Sequence, residues 1–264
     1  MKNKLLGVIG GLGPMATVYF MELVVKMTDA ASDQENLDMI LYNLPSIPDR
    51  TGYILGNSDK NPLPLMIAAG RELERQKAAC IAMPCVTAHY FHRELQSALK
   101  IPVINGVYET VCCLKRKNIK RVGLMATDGT IRSNLLSREL DNAGIVPVIP
   151  SGERQKDIMH LIYENVKAGK PPEMDRFERV RRELLDCGVE AITLACTELS
   201  LIKRDRYIGG GFIDVLEVLA RESVIRCGKR LRAEYNEPIL TERSAYDANK
   251  YPGISGANRS AFAG

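Results

Sequence analysis

The chain has 264 residues, 45% of them hydrophobic, with 36 basic and 32 acidic side chains that leave a formal net charge of +4. That length suits one large domain or two of modest size, and the composition is that of a globular protein. No basic block with interleaved aromatics marks a nucleic-acid partner, and no apolar run approaches the roughly 18 residues of a membrane helix.

In chain order, short apolar runs at residues 5–9, 37–44, 80–83, 102–105, 121–125, 145–149 and 191–195 read as strands. Helical patterns lie between them, at 15–28, 63–76, 88–99, 131–142, 157–168 and 177–187. Such alternation predicts βαβ units and parallel sheet, with ligands collecting at the carboxyl ends of the strands. The leading segment, Met1 to Gly13, carries two lysines and a short apolar stretch. It is too short for a signal peptide and reads as the first strand.

The pattern occurs twice. Val8 and Val122 each sit in a strand that runs into a Gly/Thr-rich turn, Gly10-Gly11-Leu12-Gly13-Pro14 in one case and Thr127-Asp128-Gly129-Thr130 in the other, 114 residues apart. Ala79-Cys80-Ile81-Ala82-Met83-Pro84-Cys85 resembles Glu190-Ala191-Ile192-Thr193-Leu194-Ala195-Cys196, at an offset of 111. Two landmarks in the same order at nearly equal spacing predict two similar lobes, each with one cysteine just past a buried strand.

The seven cysteines are scattered without a CxxC pair, which favours reduced thiols in the cytoplasm over a disulfide framework. Cys80, Cys112, Cys113, Cys187 and Cys227 read as core or helix residues. Cys85 and Cys196 differ because each stands between a strand and a helix N-terminus, where amide groups and the helix dipole favour a thiolate. Two thiols on opposite walls of a cleft suit inversion of a carbon beside a carboxylate: one removes a proton from one face, the other delivers one to the opposite face. The Cα–H is weakly acidic, so fixed cations and exclusion of water must supply much of the stabilisation.

The segments Gly10-Gly11-Leu12-Gly13-Pro14-Met15-Ala16-Thr17, Ile47-Pro48-Asp49-Arg50-Thr51, Met83-Pro84-Cys85-Val86-Thr87-Ala88-His89 and Ala195-Cys196-Thr197-Glu198-Leu199 resemble those of the aspartate/glutamate racemase family, in the family's order, over residues 5 to 235. The resemblance implies an α/β fold of two flavodoxin-like lobes with the active site between them, no pyridoxal phosphate or other cofactor, no metal, and a homodimer. It divides the chain into a first lobe of residues 1–105 plus about 213–240, a second lobe of 106–212, and an irregular tail at 241–264. It places the catalytic cysteines at Cys85 and Cys196. A substrate-binding arginine falls on Arg50 and a substrate-binding lysine on Lys167, with an acidic amino acid as substrate, aspartate before glutamate. The turn at Gly11 and the hydroxyls of Thr87, Thr127, Thr130 and Thr197 are the further substrate-binding positions. One position departs from the family's pattern: Val86 stands where Asn usually follows the first cysteine, which removes an amide that would bind polar atoms of the substrate.

Each of these residues also has a structural reading. Arg50 in a proline-rich loop is either a bidentate carboxylate clamp or a solvated side chain, and Lys167 at a helix end is favoured there by the dipole alone. Thr87 and Thr197 can serve as N-caps, and Thr127 and Thr130 as turn and cap residues. Glu198 can set the protonation of Cys196 or simply occupy a first helical turn, and Asp49 can stabilise its own turn. Cys80, Cys85, His89 and His92 do not make a zinc set, because Cys80 opens the strand that Cys85 closes, about 16 Å away. His160 receives no role.

Three rival functions remain. Gly11-Leu12-Gly13-Pro14-Met15-Ala16 fits the GxGxxA turn of a nucleotide-dependent oxidoreductase, but no acidic residue ends the next strand near Asn43-Leu44, and Pro14 lacks an N–H for a pyrophosphate. An isomerase or decarboxylase of another small dicarboxylate, and a non-catalytic carboxylate-binding descendant, are the others.

Overall fold

The computed structural model describes residues 4–236; the sequence-predicted tail at 241–264 lies outside them. In chain order the regular elements are β1 (Leu6–Gly10), α1 (Pro14–Met27), β2 (Met39–Asn43), α2 (Arg50–Ile54), α3 (Leu63–Arg75), β3 (Cys80–Ala82), α4 (His92–Ser97), α5 (Gly106–Arg116), β4 (Arg121–Ala126), α6 (Asp128–Arg132), α7 (Leu135–Asn142), β5 (Val146–Val148), α8 (Gly152–His160), α9 (Met174–Asp186), β6 (Ala191–Ala195), α10 (Thr197–Asp205), β7 (Phe212–Asp214) and α11 (Val215–Arg226). The fold class is the one the alternation indicates: α/β, with parallel sheets flanked by helices.

The strands form two sheets, ordered β2-β1-β3 and β5-β4-β6-β7. Every pairing is parallel; Leu6 lies opposite both Met39 and Cys80, and Ala126 opposite Ala195. The order second-first-third recurs, so the sequence repeat corresponds to a repeated wiring. β7 extends the second sheet alone, through Ile192 to Phe212 and Leu194 to Asp214, and it was not among the predicted strands. The expected strand at 102–105 is reduced to a single bridge between Val103 and Ile81.

Both faces of each sheet are buried, as parallel sheets require. The first sheet packs α1 and α11 on one side through Val8, Phe20, Leu216 and Leu219, and α3 and α4 on the other through Ile81, Leu73 and Leu95. The second packs α8, α9 and α10 through Ile192, Phe177 and Leu199. On its other face, Leu124 and Ala195 meet Val111, Leu140 and Val218 from α5, α7 and α11. α11 thus follows a strand of the second sheet yet covers the first.

Two predicted helices are interrupted. The pattern at 131–142 breaks at Asn134, which takes a left-handed φ of +53° and separates α6 from α7; Asn tolerates that conformation better than most residues. The pattern at 157–168 starts earlier, at Gly152, and loosens into a π-helical turn over Leu161–Val166. Among the described residues, no helix is long and apolar enough to cross a membrane.

Candidate active site

Cys85 and Cys196 leave the carboxyl ends of β3 and β6, the corresponding strands of the two sheets, and both line one narrow cleft. Asp49, Arg50, Thr87, Thr127, Lys167, Thr197 and Glu198 also line it, together with Leu12, Thr51 and Val86. Both thiols are buried. The cleft therefore draws on the strand-end loops of both sheets, the usual ligand position in α/β folds.

Arg50 is not in a solvated loop. It opens α2, whose N-cap Asp49 accepts the Gly52 N–H at 2.6 Å, and it is only 7% exposed. Nη1 donates to the carbonyls of Ile47 (3.2 Å) and Pro48 (2.9 Å), and Nη2 to that of Leu12 (2.8 Å). Three of five N–H groups are thus spent on backbone, which fixes the guanidinium plane. Nε is buried without a hydrogen-bond partner, and the guanidinium also lies within hydrogen-bonding reach of the Cys85 thiol. Burial works against the charge, but Cys85 beside it, then Asp49 and Glu198, hold Arg50 above its ordinary pKa.

Lys167 follows the π-helical turn. Its ammonium stands 3.6 Å from Asp49 Oδ1 and 3.9 Å from the centre of the Tyr163 ring. Burial disfavours this charge too, yet Glu198 and Cys196 hold its pKa up. Asp49 therefore does more than stabilise its turn: it reaches Lys167 across the cleft and accepts a long hydrogen bond from the Tyr163 hydroxyl (3.4 Å). One cation consequently accompanies each thiol, Arg50 with Cys85 and Lys167 with Cys196.

At Cys196 the expectation of a thiolate favoured by the helix dipole is not met. The residue is the N-cap of α10, but its pKa is raised well above the thiol range, first by burial and then by the Glu198 carboxylate, with Lys167 opposing. The thiol donates to Glu198 Oε2 at 2.9 Å, and the Thr197 hydroxyl donates to the same oxygen at 3.3 Å. A neighbouring anion and desolvation outweigh a dipole of about half a charge. Glu198 is both a first-turn residue of the helix and the hydrogen-bond partner of the thiol.

The threonines also differ from a simple capping account. Thr87 and Thr197 are first residues of their turns, after Val86 and Cys196 at the cap positions, and neither side chain caps. Thr127 does cap α6, accepting from the Thr130 N–H at 3.2 Å. Thr87, Thr127 and Thr130 form a ring of three buried hydroxyls with separations of 3.0, 3.1 and 3.1 Å. Thr130 and Gly11 are not among the residues that line the cleft. Gly11 shapes the first turn: its φ is +86°, and a Cβ there would lie 2.3 Å from Leu44 N. Val86 lines the cleft but packs into the apolar cluster of the second sheet with Val107, Ala126 and Ala195.

Thr51, Leu12 and Tyr163 were not singled out by the sequence. Thr51 follows Arg50 in the same motif, and Tyr163 lies one helical turn before Lys167, so the spacing of i and i+4 residues was the signal available. Among the described residues, no three His, Cys, Asp or Glu side chains gather as a metal set.

The family model for Asp/Glu/hydantoin racemases matches residues 9–222. The chain belongs to that family. It is therefore an isomerase, an amino-acid racemase of the aspartate/glutamate racemase type. The aspartate racemase of Picrophilus torridus superposes with a TM-score of 0.76 at 34% identity, covering 88% of this chain and 97% of that one. A broad-specificity amino-acid racemase of Bacillus subtilis is 26% identical over 203 residues, 75% of this chain and 87% of that protein. A glutamate racemase from a Shewanella strain is 25% identical over 187 residues, 67% of this chain and 64% of that protein.

Proposed function

We propose that this racemase acts on a small acidic amino acid, aspartate before glutamate, by cofactor-independent proton transfer between Cys85 and Cys196. The observation that carries the proposal is a single cleft that presents two buried thiols from corresponding strand ends, each accompanied by its own cation.

In one direction the Cys85 thiolate, held beside the Arg50 guanidinium, removes the Cα proton, and the C–H electron pair moves into the substrate carboxylate. Cys196 stands ready as a thiol because burial and the Glu198 carboxylate keep its proton in place, and it gives that proton to the opposite face of the carbon. In the reverse direction Cys196 is the base, and Glu198 and Lys167 between them set how readily its proton leaves. The remaining N–H groups of Arg50 offer a fixed donor edge for a carboxylate, worth more in a dry site than in water. Lys167, whose ammonium lies 3.6 Å from Asp49, supplies the second positive charge for a substrate with two carboxylates. Thr87 and Thr127 bring hydroxyls from both sheets to the same floor. The same reading includes the homodimer and lobe boundaries implied by the resemblance, the former testable by sedimentation.

Incubation with L- and D-aspartate and L- and D-glutamate in deuterated water, without added cofactor, tests the proposal. Deuterium should enter at Cα as each pure aspartate enantiomer moves to an equal mixture, faster than for glutamate. Absence of Cα exchange on all four acids would reject an acidic substrate.

A further inference from the structure

The two thiols are held by different means. Cys196 follows β6 directly and caps an α-helix of nine residues; its carbonyl accepts the Leu199 and Ser200 N–H groups at 2.9 and 3.4 Å. Helix geometry alone fixes its backbone. Cys85 has no such support. It stands three residues beyond the end of β3, after Pro84, which has no N–H, and it is followed by a 3₁₀ turn over Thr87–Phe91. Its own N–H closes a tight turn onto the Met83 carbonyl at 2.7 Å.

His89 reaches this segment from the 3₁₀ turn. Its side chain is buried, with Nδ1 2.9 Å from the Cys85 carbonyl and Nε2 3.1 Å from the Gly106 amide nitrogen. The partners dictate the tautomer. A backbone N–H can only donate, so Nε2 accepts; a carbonyl can only accept, so Nδ1 carries the proton and donates. Gly106 is the first residue of α5, at the crossover from the first sheet to the second. A Cβ there would stand 3.4 Å from His89 Nε2 and 3.5 Å from Leu219, ordinary van der Waals distances, so the contact does not itself require glycine. His92 stacks parallel to His89 with centroids 6.3 Å apart, and its Nε2 lies 2.8 Å from the Val103 carbonyl on the same crossover.

We propose that His89 is a positioning residue for Cys85: one ring nitrogen holds the Cys85 carbonyl, the other holds the Gly106 amide, and together they fix where the first thiol stands relative to the second sheet. The proposal rests on the reading of Cys85 as a proton-transfer thiol. Burial holds the ring neutral, its pKa lowered to about 4 against the opposing pull of the Cys85 carbonyl, so the two backbone bonds are made without a charge on the ring.

The test separates the two sides of the reaction. In a Cys196→Ser background only the Cys85 side can exchange the Cα proton, and in a Cys85→Ser background only the Cys196 side. His89→Gln keeps an acceptor near the Nε2 position but loses the donor to the Cys85 carbonyl. It should slow Cα–H exchange at least about tenfold on the Cys85 side, a loss of about 1.4 kcal/mol, while leaving the Cys196 side within about twofold. His89→Asn, whose side-chain amide reproduces the Nδ1 donor, should recover most of that rate. Equal slowing on both sides, or on neither, would overturn the proposal. If exchange on the Cys85 side survives Cys85→Ser itself, the reading of Cys85 fails instead. A measurement on the unaltered chain needs no variant to fold: ¹⁵N NMR of labelled histidine should show His89 protonated at Nδ1 and unprotonated at Nε2 from about pH 8 to pH 5. A ring protonated at Nε2 in that range would overturn the assignment.

Discussion

Acidification is expected to destabilise this protein through one histidine in particular. His89 is 3% exposed, and its pKa falls from 6.5 to about 4, mainly by burial, with a smaller push from the neighbouring His92. Protonation would turn Nε2 from the acceptor of the Gly106 N–H into a donor facing a donor. The folded state therefore prefers the neutral ring. Its contribution to stability is fully present above the unfolded pKa of 6.5, declines as pH falls below it, and is lost once pH passes the folded value near 4. A difference of this size corresponds to roughly 3 kcal/mol. For a chain of this size that is a fall of roughly 10 °C in melting temperature. Melting curves of the parent and of His89→Gln between pH 8 and pH 4 isolate the effect, because the two proteins differ at no other residue. The pH-independent cost of the substitution cancels, and the stability difference between the two should shrink by up to about 1.4 kcal/mol per pH unit below 6.5. Parallel curves down to pH 4 would refute the reasoning.

Other substitutions probe the cleft. Arg50→Lys retains the charge but cannot satisfy the three carbonyls of Ile47, Pro48 and Leu12 while presenting a planar edge; the KM for aspartate should rise roughly 10- to 100-fold, and an unchanged KM would remove the clamp. Glu198→Gln takes away the anion that holds the proton on Cys196, so iodoacetamide should alkylate Cys196 faster at pH 7, read by peptide mass; a slower or equal rate contradicts the assignment. Val86→Asn places an amide against Val107 and Ala195, at a cost of about 1–3 kcal/mol, and should lower the melting temperature while lowering the KM for aspartate. A lower melting temperature without the KM change would assign Val86 to packing alone.

Much of this architecture was legible because buried parallel strands write themselves as short apolar runs. β1, β3, β4 and β6 lie within a residue or two of their expected limits, and Cys85 and Cys196 stand just past β3 and β6. β7 was missed because three residues after Gly209-Gly210-Gly211 give no pattern to read, although they are buried in the sheet. The break at Asn134 depends on one left-handed residue in an otherwise periodic stretch, and periodicity averages over it. Most residues that line the cleft were readable, but the protonation of Cys196 was not. Cys196 and the helix beginning at Thr197 suggest a thiolate by local geometry alone, whereas burial and the orientation of Glu198 decide otherwise. The role of Arg50 was similarly obscured, since only the folded chain brings the Leu12 carbonyl to a residue 38 positions away.

The central claim is that two thiols act on opposite faces of one carbon. The most direct measurement follows Cα–H exchange and inversion of L- and D-aspartate in deuterated water for Cys85→Ser and Cys196→Ser. Inversion needs a base on one wall and an acid on the other, and a serine hydroxyl is a far weaker base near neutral pH. Both variants should lose racemisation in both directions, each retaining exchange of one enantiomer, and the retained enantiomer should differ between them. Full racemisation by either variant would contradict the account.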